Sequence, residues 1–287
     1  MATTDKPILV SGATGKQGGA IARALLSRGW KVRAMTRKPG GEPAKKLREL
    51  GAEVVKADFD DEASVRAALA NVWGALAVQN SWEVGVVREE EEGKRFARVA
   101  KETGVRHLVY QSVASAQRHT GIPHFDSKWR VEETIRSIGL PSHVILRPVY
   151  FMENLLSPDT MKGIANGVLA IGIRPDTKLQ SIAVHDIGAY GLQAFERAAE
   201  LNGRAFDIAG DELTGPEMAN VLSEVTSRKI KFQQIPIAGI RAFSEDVALM
   251  LEWFDKVGYN AEIDQTSKEL GVPPTRFRAW AGQQTWS

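Results

Sequence analysis

The stretch Ile8-Leu-Val-Ser-Gly-Ala-Thr-Gly-Lys-Gln-Gly-Gly19 is an apolar run that gives way to glycines spaced three apart. The apolar run suits a buried parallel strand, while Gly12 and Gly15 permit a tight turn in which backbone N–H groups approach a pyrophosphate at the start of a helix. Gly18 would let that helix pack closely on the sheet. The same pattern occurs in strand-to-helix connections that bind no ligand. This stretch therefore predicts a dinucleotide site that needs support from the rest of the chain.

The composition is that of an ordinary globular protein, with 43% hydrophobic and 25% charged residues among 287. The 37 basic and 35 acidic side chains leave a net charge of +2, too little for a nucleic-acid footprint. The absence of cysteine excludes disulfides and a cysteine nucleophile, and it fits a reducing compartment. No run approaches the roughly 18 apolar residues of a membrane span. We therefore expect a soluble, cytoplasmic protein that binds neither nucleic acid directly nor a membrane.

The first half of the chain alternates short apolar runs with amphipathic segments, which predicts right-handed βαβ units and a parallel sheet. The predicted strands are residues 7–11, 31–36, 52–57, 73–78, 107–112 and 143–147. The predicted helices are residues 15–28, 43–50, 62–71, 84–103 and 123–138. Glycines follow several of these helices where a left-handed residue is needed, at Gly29, Gly51, Gly104 and Gly139.

These elements predict an α/β fold in two parts. Residues 1–155 form a Rossmann-type doubly wound parallel sheet, and residues 156–287 form a smaller mixed α/β C-terminal lobe that covers the cofactor. The lobe is predicted to contain strands at residues 204–208 and 229–236. The chain could also interleave between the two parts.

The end of the second predicted strand indicates which dinucleotide binds. An acidic residue there would bind the ribose 2′-hydroxyl of NAD(H), whereas a basic residue would accept the 2′-phosphate of NADP(H). This chain has Thr36-Arg37-Lys38, in which the forked guanidinium of Arg37 can grip a phosphate and Lys38 adds a point charge. The alternative is a solvated basic pair at a strand end. The residues favour NADP(H) over NAD(H).

Several blocks of sequence resemble the NmrA-like family of atypical short-chain dehydrogenases/reductases, and within it the NADPH sensors of the HSCARG type. The blocks that carry the resemblance are residues 12–19, 36–37, 51–55, 79–83, 124–128, 131–133 and 150–157. The most specific are HFDSK at 124–128 and YFMENLLS at 150–157. The chain departs from the family pattern at Met152, an apparent insertion, and at Ser81, which stands in place of an aromatic residue.

The resemblance implies that NADP(H) is held by a defined set of residues. For the glycine loop and Arg37 the physical argument above leads to the same assignment, and Lys38 is assigned by that physical argument alone. The predicted cofactor-binding residues are Gly12, Thr14, Gly15, Lys16, Gln17, Gly18, Arg37, Lys38, Asp58, Phe59, Gln79, Asn80, Ser81, Lys128, Tyr150 and Asn154.

The chain lacks the Tyr-x-x-x-Lys pair with which typical members of the superfamily protonate a carbonyl. The matching stretch runs from His124 to Lys128, which share a helix face, so Lys128 could bind the nicotinamide ribose and His124 could donate a proton. A neighbouring lysine cation opposes a second positive charge, and His124 could instead hydrogen-bond locally at the helix start. Ser112, at the end of the fifth strand, could polarise a substrate oxygen or serve only as a turn residue. The candidate catalytic residues are thus Lys128, His124 and Ser112.

Other chemistry is sparse in the sequence. The five histidines lack ligand spacing, so no metal site is predicted. The acidic run from Glu89 to Glu92 reads as a solvated helix face. Trp82 is placed near the nicotinamide end, where an aromatic pocket is plausible.

Two functions remain open. In the first, the protein is a redox sensor that responds to NADPH against NADP⁺ and acts through a regulatory protein partner or a homodimer; the missing tyrosine and the resemblance support this. In the second, it is an NADPH-dependent reductase of a quinone, enone or other conjugated aromatic, for which alignment with the nicotinamide matters more than a tyrosine. A sensor needs no substrate cavity, whereas a reductase needs an open apolar cleft.

Overall fold

The computed structural model describes residues 5–286, which form twelve strands, thirteen α-helices and two short 3-10 helices, Ala116–Arg118 and Met152–Leu156. The strands are β1 (Ile8–Val10), β2 (Val32–Thr36), β3 (Glu53–Lys56), β4 (Gly74–Ala77), β5 (His107–Gln111), β6 (His143–Pro148), β7 (Tyr150–Phe151), β8 (Val168–Ile171), β9 (Lys178–Ile182), β10 (Ala205–Ile208), β11 (Asp211–Thr214) and β12 (Lys231–Gln234). The helices are α1 (Lys16–Ser27), α2 (Glu42–Glu49), α3 (Glu62–Leu69), α4 (Ser81–Val84), α5 (Val86–Glu102), α6 (Pro123–Ser137), α7 (Pro158–Ala165), α8 (Val184–Glu196), α9 (Gly215–Thr226), α10 (Ile237–Phe243), α11 (Glu245–Lys256), α12 (Ile263–Leu270) and α13 (Phe277–Ala281).

Seven parallel strands form the central sheet, in the order β10-β6-β5-β4-β1-β2-β3. The chain runs outward from β1 in both directions, which leaves a crevice between the carboxyl ends of β1 and β4. One face of the sheet buries apolar residues of α1, α2 and α8, and the other buries those of α3, α5 and α6. The predicted doubly wound α/β fold is confirmed, and each of its six predicted strands is present within two residues at either end.

The predicted helix over residues 84–103 is interrupted. Gly85 has φ +84° and ends the short helix α4, and α5 begins at Val86. A left-handed residue cannot continue a right-handed helix, and glycine adopts that conformation without a side-chain clash. The break separates α5 from the short helix α4, which follows the carboxyl end of β4.

The strand predicted at residues 204–208 does not belong to the C-terminal lobe. As β10 it is the seventh strand of the central sheet, where Phe206 pairs with Leu146 of β6. The preceding helix, α8, packs on α1 through two glycines: a Cβ on Gly188 would lie 2.8 Å from the Ala20 carbonyl oxygen, and one on Gly191 would lie 2.5 Å from the Ile21 side chain. The prediction was wrong because a four-residue strand carries no signal of the sheet that it joins.

The smaller lobe contains two short sheets, β11-β9-β7 and β12-β8, with helices α7, α9, α10, α11 and α13. The second sheet includes β12, within the strand predicted over residues 229–236. A separate core holds the lobe together around Phe254, Phe277 and Trp280. None of the helices between residues 5 and 286 is both long and apolar enough to cross a lipid bilayer.

Candidate functional site

A cavity of about 890 Å³ opens along the carboxyl ends of the central strands. Its size is within the range of roughly 300–1,000 Å³ that is usual for ligand sites. Its walls contain all sixteen residues predicted to contact the cofactor, together with the remaining candidate catalytic residues Ser112 and His124. The structure therefore brings these positions together, while the role of each stays a prediction.

The glycine loop has the geometry that its sequence predicts. Gly12 has φ +58°, and its carbonyl oxygen accepts the backbone N–H of Gly15 at 2.9 Å. A Cβ on Gly18 would lie only 2.4 Å from the same oxygen, so α1 could not approach the loop with any other residue there. No side chain caps the start of α1, and its first-turn residues Lys16 and Gln17 line the cavity. This end of the cavity thus presents free N–H groups and the positive end of a helix dipole.

Gln79, at the end of β4, carries an unpaired amide on the cavity wall. The side chain is only 5% exposed, and within residues 5–286 neither its Oε1 nor its Nε2 has a hydrogen-bond partner. A buried amide left unpaired costs about 1–3 kcal/mol. The site therefore needs a polar ligand or water at this position, which fits the ribose and phosphate groups of a dinucleotide.

The basic pair at the end of β2 lies at one end of the cavity. Arg37 forms an ion pair with Glu83 of α4, and both side chains are about half exposed, at 51% and 53%. The hydrogen bond that Arg37 donates to Glu83 raises the pKa of Arg37 and outweighs the opposing effect of burial. Lys38 is exposed beside it, so this end of the cavity can attract a phosphate.

Lys128 is held by a buried carboxylate that was not predicted. Its Nζ lies 2.6 Å from Oε1 of Glu89, whose side chain is 2% exposed. Glu89 Oε1 also accepts the backbone N–H of Ser81 at 3.1 Å. Ser127 Oγ donates to Glu89 Oε2 at 3.4 Å. Glu89 thus ties α6 and the end of β4 to α5.

The acidic run on α5 is therefore not a solvated face, as the sequence suggested. Glu89 and Glu92 are both buried, while Glu91 between them is exposed. With Phe96 they follow the i, i+3, i+7 spacing of a buried helix stripe, which was the available signal. The carboxylates made this stripe look polar.

His124 contacts an acidic residue of the C-terminal lobe. Its Nδ1 lies 2.5 Å from Oδ2 of Asp246, and its backbone N–H donates to Oδ1 at 3.2 Å. Burial alone would raise the pKa of Asp246, but the hydrogen bonds and charge of His124 lower it overall. Asp246 is 122 residues from His124 in sequence, and no local pattern points to it.

Ser112 lines the cavity, but its hydroxyl is engaged elsewhere. It donates to Glu132 Oε1 at 2.5 Å, and Glu132 is fully buried. Arg147 donates to the two oxygens of Glu132 at 2.8 and 2.6 Å, and Arg136 adds a third bond at 2.9 Å. In this structure the Ser112 proton supports a buried ion network, and polarising a substrate would require this bond to be exchanged.

The cavity continues past Lys128 into an aromatic end. Phe125 and Tyr259 stack there, with ring centroids 6.3 Å apart and planes 13° apart, and Met250, Tyr150 and Trp82 complete the wall. Burial raises the pKa of Tyr150 to about 12 and that of Tyr259 further, so both hydroxyls stay neutral at physiological pH. Across residues 5–286 no group of three or more acidic or histidine side chains could hold a metal ion.

Comparison with known proteins identifies the family. The model of the NmrA-like family matches residues 4–275. The NmrA-like family domain-containing oxidoreductase notA of Aspergillus sp. is 42% identical over 269 residues, which cover 84% of this chain and 78% of that protein.

Two solved structures share the fold. The Citrobacter sp. triphenylmethane reductase complexed with NADP(H) superimposes with a TM-score of 0.83 at 18% identity, over 96% of this chain and 99% of that one. NmrA, a negative transcriptional regulator in complex with NAD, gives a TM-score of 0.79 at 19% identity, over 98% and 95% of the two chains. The family match along nearly the whole sequence, together with this shared fold, shows that the chain belongs to the NmrA-like family.

Proposed function

We propose that this protein is an NADPH-dependent reductase whose acceptor is a flat conjugated molecule such as a quinone or an enone. The observation that carries the proposal is the aromatic space at one end of the cavity, where Phe125, Tyr259 and Trp82 line the same cavity as Lys128. A protein that only sensed the cofactor would have no need of such a space. Bound NADPH would supply the hydride.

The chain offers a group for each part of the cofactor. The uncapped start of α1 and the glycine loop suit the pyrophosphate, and Arg37 with Lys38 suits the 2′-phosphate. Lys128, whose amine is paired with Glu89, suits the nicotinamide ribose. The fold shared with a reductase complexed with NADP(H) and the relative described as an oxidoreductase support this assignment.

The aromatic end favours a conjugated acceptor over a simple carbonyl compound. Phe125, Tyr259 and Trp82 offer ring faces and edges against which a flat π-system can pack. Since hydride transfer to such an acceptor depends mainly on close alignment, the missing tyrosine does not preclude it.

A second function is favoured by the Arg37–Glu83 pair. A 2′-phosphate bound at Arg37 would compete with Glu83 and so disturb α4, which gives the protein a means of coupling cofactor binding to shape. This matches a redox sensor that acts on a regulatory partner or through a homodimer, and the fold shared with NmrA is consistent with it. Such a sensor must bind NADPH and NADP⁺ with different affinity in its two shapes.

The experiment that tests these functions is NADPH oxidation by the purified protein with a panel of quinones, enones and cationic aromatic dyes. Cofactor binding is followed in parallel through tryptophan fluorescence. Saturable turnover of any acceptor supports the reductase. Tight binding of NADPH without turnover across the panel favours the sensor, and failure to bind NADPH contradicts both.

A further inference from the structure

We propose that His124 and Asp246 form a proton-donating pair in which His124 protonates the oxygen of the acceptor and Asp246 positions the imidazole. The inference rests on the proposed reductase function and supplies the proton that the missing tyrosine would otherwise give. Asp246 acts through His124 and is a positioning residue.

The contacts of His124 fix both the place and the orientation of its ring. Oδ1 of Asp246 accepts the backbone N–H of His124 at 3.2 Å. Oδ2 of the same carboxylate lies 2.5 Å from Nδ1 of the His124 ring. Nδ1 is buried within ion-pair distance of this carboxylate, but the two groups are not aligned as a hydrogen bond. His124 lines the cavity, and within residues 5–286 no hydrogen bond engages Nε2. A carboxylate on one ring nitrogen selects the tautomer and leaves the other nitrogen for the reaction.

The surroundings restrict the ring further. The centroid of the His124 ring lies 5.1 Å from that of Trp82 and 4.8 Å from that of Phe125, and only 6% of the residue is exposed. These two aromatic residues also line the end of the cavity proposed for the acceptor. A proton held on Nε2 would therefore be close to the reacting molecule and shielded from bulk water.

The structure answers the objection that the Lys128 cation opposes a protonated His124. Lys128 is paired at 2.6 Å with the buried carboxylate of Glu89, so its charge is matched locally. Asp246 provides a second carboxylate directly on the imidazole. Lys128 and a protonated His124, which lie one helical turn apart, would thus each have their own anion.

NADPH supplies a hydride to a carbon of the acceptor and is oxidised to NADP⁺, and the acceptor is reduced by those two electrons. The electron pair of the conjugated C=O system moves to its oxygen, which forms an O–H bond with the proton that leaves Nε2. Asp246 keeps the remaining hydrogen on Nδ1, and solvent returns a proton to Nε2 for the next turnover.

Two acceptor classes separate this role from a structural one. A quinone or enone needs a proton to complete its reduction, whereas a cationic triphenylmethane dye is neutralised by the hydride alone. For His124→Gln and Asp246→Asn we expect kcat with the enone to fall about a hundredfold, the usual contribution of a general acid, and the loss with the dye to be at least tenfold smaller. Glu245→Gln is the matched control, because it removes a half-exposed carboxylate from the same turn of α11.

A spectroscopic measurement accompanies the kinetics. Nitrogen NMR of the cofactor-free protein should find the His124 hydrogen on Nδ1 when the ring is neutral. In Asp246→Asn the side-chain amide can donate to Nδ1 and should shift the hydrogen to Nε2, whereas Glu245→Gln should leave the ring unchanged.

The outcomes distinguish the two proposals. An equal fall in kcat with the enone and the dye, or an unchanged His124 tautomer in Asp246→Asn, would overturn the proton-donating pair. The proposed reductase function would not be affected by either result. If the wild-type protein reduces enones but not the dye, a fall in kcat at constant KM supports the pair, and a change in KM alone overturns it. A wild-type protein that reduces no acceptor overturns the proposed function, and this inference with it.

Discussion

Lys128 Nζ lies 2.6 Å from Glu89 Oε1 in a wall of the cavity where the lysine side chain is 12% exposed and the glutamate 2%. The contact joins α5 and α6 near their N-terminal ends, and it fixes the amine that is proposed to bind the nicotinamide ribose. Replacing only one residue of a buried ion pair lowers the stability of a protein more than replacing both, because the remaining charge stays buried without a partner.

Glu89→Gln should therefore destabilise the protein by about 1–3 kcal/mol, less than a fully enclosed pair because the cavity admits water to Lys128. In the double variant Glu89→Gln/Lys128→Met the loss should be smaller than the sum of the two single losses. Urea unfolding of the four proteins measures this coupling. Glu91→Gln, an exposed neighbour on α5, is the control, and additive losses would mean that the pair does not stabilise the fold.

Arg37→Ala should weaken NADPH binding about tenfold to a hundredfold and leave NADH binding within twofold. The reason is that a charged hydrogen bond to phosphate contributes about 1.5–3 kcal/mol, and NADH has no 2′-phosphate. Titration by tryptophan fluorescence measures both dissociation constants. Arg28→Ala, which removes an arginine at the far end of α1, is the control. Equal weakening of the two cofactors would contradict the assigned role of Arg37.

Glu83→Gln should tighten NADPH binding by about twofold to fivefold, since the carboxylate pairs with Arg37 and would compete with the 2′-phosphate. The size follows from the 0.2–1 kcal/mol that an exposed ion pair typically contributes. NADH affinity should not change. A Glu83→Gln protein that binds NADPH more weakly than the wild type would instead indicate that the pair holds α4 in its binding position.

The sequence predicted about half of the residues in the cavity wall but not the groups that orient its chemistry. The carboxyl ends of parallel strands meet at one edge of a sheet, so placing the glycine loop and Arg37 at strand ends was enough to bring them together. Asp246 reaches His124 only because α11 docks across the lobe boundary, which no local pattern encodes. Glu89 did follow a buried helical spacing, but its charge obscured that signal.

Gly18→Ala should destabilise the protein by about 1–3 kcal/mol and weaken NADPH binding. The added Cβ would lie 2.4 Å from the Gly12 carbonyl oxygen, so α1 must move away from the loop that approaches the pyrophosphate. Unfolding and cofactor titration measure the two effects. Gly40→Ala is the matched control, since its Cβ would meet nothing within 4 Å. A fully stable Gly18→Ala protein with normal NADPH affinity would show that the close approach is not needed.

His107 should make the stability of the fold sensitive to acid. Its ring is 1% exposed, with Nδ1 2.8 Å from Ser142 Oγ and Nε2 3.0 Å from the Ala194 carbonyl oxygen. Burial lowers its pKa from 6.5 to about 4. Between these values the unfolded chain binds a proton that the folded protein does not, so the free energy of unfolding falls as the pH drops from about 6.5 to about 4 and this contribution is constant below.

The loss over this interval should approach 3 kcal/mol, since each pKa unit corresponds to about 1.4 kcal/mol. His107→Gln keeps a polar side chain but cannot titrate, so the difference in unfolding free energy between wild type and variant should shrink by that amount as the pH falls. Urea unfolding from pH 7.5 to pH 4.5 measures the difference. His119→Gln, on a surface loop after β5, is the control. A difference that stays constant with pH would mean that folding leaves the pKa of His107 unchanged.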